Sequence, residues 1–60
     1  MRKINLRNYP DIAADMVDAG YTSEKVADLV IRGGLGNWFT CDRAFYLLLK
    51  EMDRIQKGGK

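Results

Sequence analysis

Apolar residues recur at helical spacing in three segments of this chain, and residues typical of helix ends bound each segment. The first segment covers about residues 10–19, where Ile12, Met16 and Val17 share one face. Its opening proline suits a first helical turn, because the missing N–H needs no partner there. Gly20 follows and is expected to end the helix in a left-handed conformation.

The second segment covers about residues 23–32 and ends at a pair of glycines. Thr22 or Ser23 can cap its first turn through the side-chain hydroxyl. The inner face of this helix is expected to carry Val26, Leu29 and Val30.

The third segment is the longest and covers about residues 41–56, with Thr40 as its expected N-cap. Three short amphipathic helices with short connections predict one all-α domain, a compact three-helix bundle over residues 10–56, with residues 57–60 as a frayed tail. The face of the third helix that meets the core is expected to carry Phe45, Leu48, Met52 and Ile55. We expect Phe45, Leu48 and Met52 to be buried against Ile12, Met16, Val26 and Leu29.

Residues 1–9 are expected to form a separate basic arm. Ile4 and Leu6 alternate with polar residues, and this period of two is typical of a strand. Because no second strand pattern follows, we expect an extended arm unless a second chain pairs with it.

The large apolar residues outside the three inner faces are too many for so small a bundle to bury. Some of them are therefore expected to form an exposed patch of the kind that binds other proteins. A second interpretation is that Trp38 and Phe39, in the loop before the third helix, cover the open end of the bundle. The residues concerned are Tyr21, Trp38, Phe39, Tyr46, Leu47 and Leu49.

Composition excludes several kinds of chemistry. The 60 residues include one cysteine, Cys41, and no histidine, which excludes an intramolecular disulfide, a zinc-type cluster and an imidazole base. We therefore predict no enzyme, metal or cofactor. No apolar run approaches a membrane span and the start is unlike a signal peptide, so a cytoplasmic protein without a membrane partner is expected. A start at Met1 without a tag is expected of a complete small open reading frame.

Charge is distributed unevenly although the net charge is only +2. Asp11, Asp15 and Asp18 share one face of the first helix, which we interpret as a solvated face that can also dock a basic partner. On the third helix, Arg43, Lys50, Arg54 and Lys57 form a basic stripe opposite the core. That stripe is either a solvated face, a nucleic-acid contact or a site for an acidic protein. With the arm, the candidate nucleic-acid contacts are Lys3, Asn5, Arg7, Arg43, Lys50 and Arg54.

Two short segments resemble the ubiquitin-associated (UBA) family of three-helix domains over about residues 12–52. Ala19-Gly20-Tyr21 lies where that family has a Met-Gly-Phe/Tyr loop, and Arg43-Ala44 with Leu48-Leu49 resembles its third helix. Ala19 replaces the methionine that often contacts ubiquitin, and the loop before the third helix is a few residues longer. The resemblance implies a protein-binding module.

The arm supports a second resemblance. Residues 3–7 resemble the strand of ribbon-helix-helix repressors, in which two chains pair their strands and outward residues enter the DNA major groove. This resemblance implies a small DNA-binding regulator and leaves the long third helix unexplained. Other three-helix arrangements and a strand-containing fold remain open.

From these features we predict a small non-enzymatic protein-interaction module, a monomer or weak homodimer, that regulates or inhibits a larger protein. Its partner-binding residues are expected to be Gly20, Tyr21, Tyr46 and Leu49, because the first loop and the end of the third helix lie side by side in UBA-like domains. The alternatives are a small DNA-binding transcriptional regulator and a structural subunit whose exposed apolar residues only make a homo-oligomer.

Overall fold

The computed structural model describes residues 3–58, and this part of the chain contains four helices. They are α1 (Tyr9–Asp18), α2 (Ser23–Gly33), α3 (Leu35–Trp38) and α4 (Asp42–Gly58). The all-α class is confirmed, and α1, α2 and α4 lie within two residues of the predicted bounds. The count of three helices is corrected to four, because α3 occupies the segment predicted to be a loop.

α3 is a single turn that begins where a glycine ends α2. Gly34 has a φ of +92° and its N–H donates to the Val30 carbonyl at 2.8 Å, which closes α2. The Phe39 N–H then donates to the Leu35 carbonyl at 2.9 Å. Four residues are too few to show a helical period in the sequence, which explains why this turn was predicted to be a loop.

The core lies along α4. Ala44, Leu48 and Met52 recur every four residues and are fully buried, so the predicted orientation of α4 is confirmed. α1, which packs most extensively on α4, contributes the fully buried Ala13. Val26 and Val30 of α2 are also buried, and Ile4 and Phe39 complete the buried set.

Four residues predicted to be central are half-buried instead. Phe45, Ile12 and Met16 pack around the edge of the core, while Leu29 lines a surface groove described below. The fully buried positions nearby belong to the small side chains of Ala13 and Ala44, which helical periodicity did not single out.

The N-terminal segment packs on its own chain. The Ile4 N–H donates to the Trp38 carbonyl at 2.9 Å and the Thr40 N–H donates to the Ile4 carbonyl at 3.0 Å, giving an isolated parallel bridge to Phe39. Ile4 is 5% exposed whereas Leu6 is 49% exposed. The strand-like alternation that placed both on one face is wrong, because the chain turns at residues 6–8.

Phe39 joins the N-terminal segment to the bundle. Its ring is buried and meets the ring of Phe45 edge to face, with 5.2 Å between centroids. Phe39 therefore covers the end of the core, as one of the two interpretations of this loop predicted.

α4 is the longest helix, with 17 residues, and most of its exposed side chains are charged. Within residues 3–58 we find no helix that combines the length and the apolar character needed to cross a bilayer.

Candidate functional site

The connection between α1 and α2 has a defined geometry. The Tyr21 N–H donates to the Met16 carbonyl at 2.9 Å and the Gly20 N–H donates to the Val17 carbonyl at 3.0 Å. With Gly20 at a φ of +93°, this is the Schellman arrangement that ends a helix at a left-handed glycine. The motif turns the chain sharply and brings the Tyr21 side chain back beside that of Met16, since both line one groove.

The same connection is held against the C-terminal half of α4. The Gln56 side-chain amide donates to the Tyr21 carbonyl at 3.3 Å, and the Ser23 hydroxyl donates to the Asp53 carboxylate at 2.7 Å. Leu49 lies one helical turn before Asp53 and two turns before Gln56, and therefore on the same edge of α4. Leu49 is half-buried and packs against the core.

Tyr46, the fourth predicted contact, lies on the outward face of α4. It is two positions from the buried Leu48, so the helical period turns it away from the core, and it is 59% exposed. It precedes Gln56 by ten residues, or about 15 Å of helix. The structure thus brings Gly20 and Tyr21 beside Asp53 and Gln56 of α4. Leu49 lies two helical turns before Gln56 and Tyr46 lies two turns before Asp53, so each is about 10 Å along α4 from one of the two residues that hold this connection.

A groove opens between α1 and α2 because both helices pack on α4 and make little contact with each other. Its volume is about 280 Å³. One charged side chain, that of Asp15, lies among otherwise apolar or aromatic walls. The groove is lined by Ile12, Asp15, Met16, Ala19, Tyr21, Val26, Leu29 and Trp38.

Tyr21 separates this groove from a second, shallower hollow. The second hollow has a volume of about 530 Å³ and shares Ala19, Tyr21 and Leu29 with the groove. Its other walls include Thr22 and Lys25. Tyr21 is 40% exposed and lines both hollows.

Trp38 is placed at the groove by its packing on a glycine. A Cβ added to Gly33 would lie 2.9 Å from the indole Nε1, so only glycine leaves room for the ring. The Asn37 side-chain amide donates to the Gly33 carbonyl at 2.7 Å and fixes α3 against the end of α2. The sequence indicated Trp38 as a candidate for an exposed apolar patch but did not place it among the four predicted partner-binding residues.

Of the three N-terminal candidates for nucleic-acid contact, two have exposed side chains and one has a side chain that forms hydrogen bonds within the protein. Lys3 and Arg7 are exposed. The Asn5 carboxamide oxygen instead accepts from the N–H groups of Arg7 and Asn8 at 2.8 and 2.9 Å, and the Asn8 side chain accepts from the Asn5 N–H at 2.8 Å. Asn5 thus builds the turn that leads into α1.

The basic stripe on α4 is partly neutralised by its own neighbours. Arg43 and Lys50 are exposed, and the Lys50 Nζ lies 5.3 Å from the centroid of the Tyr46 ring. Arg54 makes two hydrogen bonds to the Glu51 carboxylate. These bonds lower the pKa of Glu51 and raise the pKa of Arg54.

The acidic row on α1 is fully accessible. Asp11, Asp15 and Asp18 are exposed, and within residues 3–58 none of them forms an ion pair. In the same part of the chain, no cluster of acidic and cysteine side chains has the arrangement needed to hold a metal ion.

Comparisons with known proteins give no family for this chain. No model of a protein family matches it. No curated protein matches it, and neither does any solved structure.

Proposed function

We propose that this chain is a small non-enzymatic protein-interaction module that regulates or inhibits a larger cytoplasmic protein. The observation that carries the proposal is the groove between α1 and α2, which leaves apolar side chains of Ile12, Met16 and Leu29 half-buried. A partner that fills the groove would remove this apolar surface from water, which favours binding.

The chemistry of the groove favours a protein partner. Aromatic residues are enriched at the centres of protein interfaces, and Tyr21 and Trp38 lie at this groove. Tyr21 can bury its ring against a partner while its hydroxyl stays at the wet edge. The groove is slightly smaller than the roughly 300–1,000 Å³ of typical small-molecule sites and suits one or two side chains of another protein.

The UBA-like resemblance supports the same class of function, with the loop at Gly20 and Tyr21 as the shared element. In the proposal Gly20 shapes the loop, Tyr21 contacts the partner and Leu49 supports the loop from α4. Tyr46, which the sequence grouped with them, lines neither the groove nor the second hollow, and we leave it outside the surface.

DNA binding is the second candidate, because Arg43, Tyr46 and Lys50 are exposed together on the outer face of α4. A cationic face with an aromatic residue suits phosphate contacts and base stacking. Two of the six predicted contacts are engaged otherwise, since Asn5 builds a turn and Arg54 bonds to Glu51. This second candidate therefore depends on the four exposed cationic side chains that remain, Lys3, Arg7, Arg43 and Lys50.

A pull-down from cells of the native host, with and without nuclease, separates the two functions. The protein-binding proposal expects a partner that survives nuclease, is lost with Tyr21→Ala and is retained with Tyr46→Ala. If nuclease releases every partner and Lys50→Ala also retains none, DNA binding replaces protein binding as the proposed function. Circular dichroism of each variant checks that the fold is intact.

A further inference from the structure

The shape of the groove suits a helix. It lies between two helices, α1 and α2, and apart from Asp15 its lining is apolar or aromatic, which is the arrangement that receives an amphipathic helix in helix-in-groove recognition. Large apolar side chains three and four positions apart on such a helix would fill the space between Met16 and Leu29. The occupant would add a helix that packs on both α1 and α2.

The charge along one wall indicates what flanks those apolar side chains. Asp15 lines the groove, and Asp11 and Asp18 continue the row one turn to either side along α1. The three carboxylates span about 10 Å of helix. Every charged side chain of α1 is therefore acidic, whereas the nearest lysine of α2, Lys25, lines the shallower hollow beyond Tyr21.

We propose that the groove binds an amphipathic helix of another protein, one with large apolar residues on its inner face and lysine or arginine beside them. This inference rests on the proposed function and names the class of partner. Cationic side chains repeating at three- and four-residue intervals on the bound helix would face the carboxylates of α1. A partner with acidic flanks would meet like charge along the whole row and be rejected.

The test is a selection from a displayed library of helical peptides, with immobilised protein as the target. The matched control is Ala19→Trp, which places a large ring in the groove at an exposed position and leaves the core untouched. A second target is Asp15→Lys combined with Asp18→Lys, where lysine near the end of α1 also suits the helix dipole. Circular dichroism confirms that both targets are folded before the selection.

The unmodified protein is expected to enrich peptides with leucine or phenylalanine on one face and lysine or arginine beside it. Such a peptide should bind about tenfold more tightly at low salt than its glutamate-flanked counterpart, since each exposed charge pair contributes up to about fivefold. High salt should reduce this difference in affinity, because it screens exposed charges. The doubly charge-reversed target should lose the preference for basic peptides.

Three results would overturn the inference in different ways. If Ala19→Trp abolishes the enrichment of peptides but the enriched peptides show no preference for lysine or arginine, the partner is not basic, and the proposed protein-binding function is unaffected. If the unmodified protein and Ala19→Trp enrich peptides equally, the groove is not a binding site, which contradicts both the proposed function and this inference. Self-association of the purified protein that Ala19→Trp abolishes shows that the occupant is a second copy of this chain.

Discussion

The side-chain amide of Gln56 donates a hydrogen bond to the backbone carbonyl of Tyr21, a residue 35 positions earlier in the chain, at 3.3 Å. This contact fixes the backbone of the α1–α2 connection to α4 while the Tyr21 ring remains 40% exposed. A rigid backbone beneath an accessible aromatic ring lowers the entropy lost on binding. The relationship explains why Tyr21, rather than the more exposed Tyr46, is central to the proposed surface.

Leu48→Ala is expected to destabilise the fold by about 2–5 kcal/mol, because the leucine is fully buried in the centre of α4. The control is Ile31→Ala, an aliphatic side chain that is 74% exposed, where a change within about 0.5 kcal/mol is expected. Chemical denaturation followed by circular dichroism measures both. Equal effects of the two substitutions would show that α4 does not present Leu48 to the core.

The N-terminal segment offers a matched pair of substitutions. Ile4→Ala is expected to cost about 2–5 kcal/mol, since Ile4 is buried against the bundle and paired with Phe39. Leu6→Ala should change stability by less than about 0.5 kcal/mol, because the turn at residues 6–8 leaves Leu6 exposed. Thermal unfolding of both variants is the measurement. A larger loss of stability for Leu6→Ala than for Ile4→Ala would show that the segment packs on the bundle through Leu6 instead of Ile4.

Helical periodicity identified the three long helices because each repeats its apolar face over at least two turns. Leu48 and Met52 were predictable for this reason. α3 was not, since four residues show no period and the glycines beside Leu35 favour a loop. The pairing of Ile4 with Phe39 was equally hidden, because an isolated bridge requires only one residue from each segment and leaves no alternating pattern around Phe39.

The candidate site was predictable at Gly20 and Tyr21, where the glycine after a helical pattern indicated a turn beside an aromatic residue. The groove was not. Ile12, Met16 and Leu29 follow the inner faces of their helices, and only the packing of both helices on α4 shows that these faces are partly open.

Two glycines that both have open space around them should respond oppositely to alanine. Gly20→Ala is expected to destabilise the fold by about 1–2 kcal/mol, because an L-residue is strained at a φ of +93°. Gly36 lies in a helix without a positive φ, and Gly36→Ala should stabilise the fold by about 0.4–1 kcal/mol. Urea denaturation measures both. A neutral Gly20→Ala would contradict the left-handed end of α1.

The ion pair on α4 predicts a titration result. Arg54→Gln should raise the pKa of the Glu51 carboxyl toward its ordinary value, because the guanidinium hydrogen bonds that lower it are lost. In the unmodified protein, the stabilisation from this pair is present above the unfolded-state pKa of Glu51 and is lost as the pH falls through the lowered folded-state value. NMR titration of the Glu51 carboxyl carbon is the measurement. Arg43→Gln serves as the control and should leave this pKa unchanged.

The most direct test compares two tyrosine substitutions against one partner, either the nuclease-resistant protein from the pull-down or a selected peptide. Calorimetric titration of Tyr21→Ala and Tyr46→Ala, each corrected for its folded fraction, gives the dissociation constant per folded molecule. Tyr21→Ala should weaken binding about tenfold or more, which is typical of an aromatic residue at the centre of an interface. Tyr46→Ala should stay within about twofold, since contacts outside that centre are energetically near-neutral. A large loss with Tyr46→Ala and none with Tyr21→Ala would contradict the account and move the binding surface to the outer face of α4.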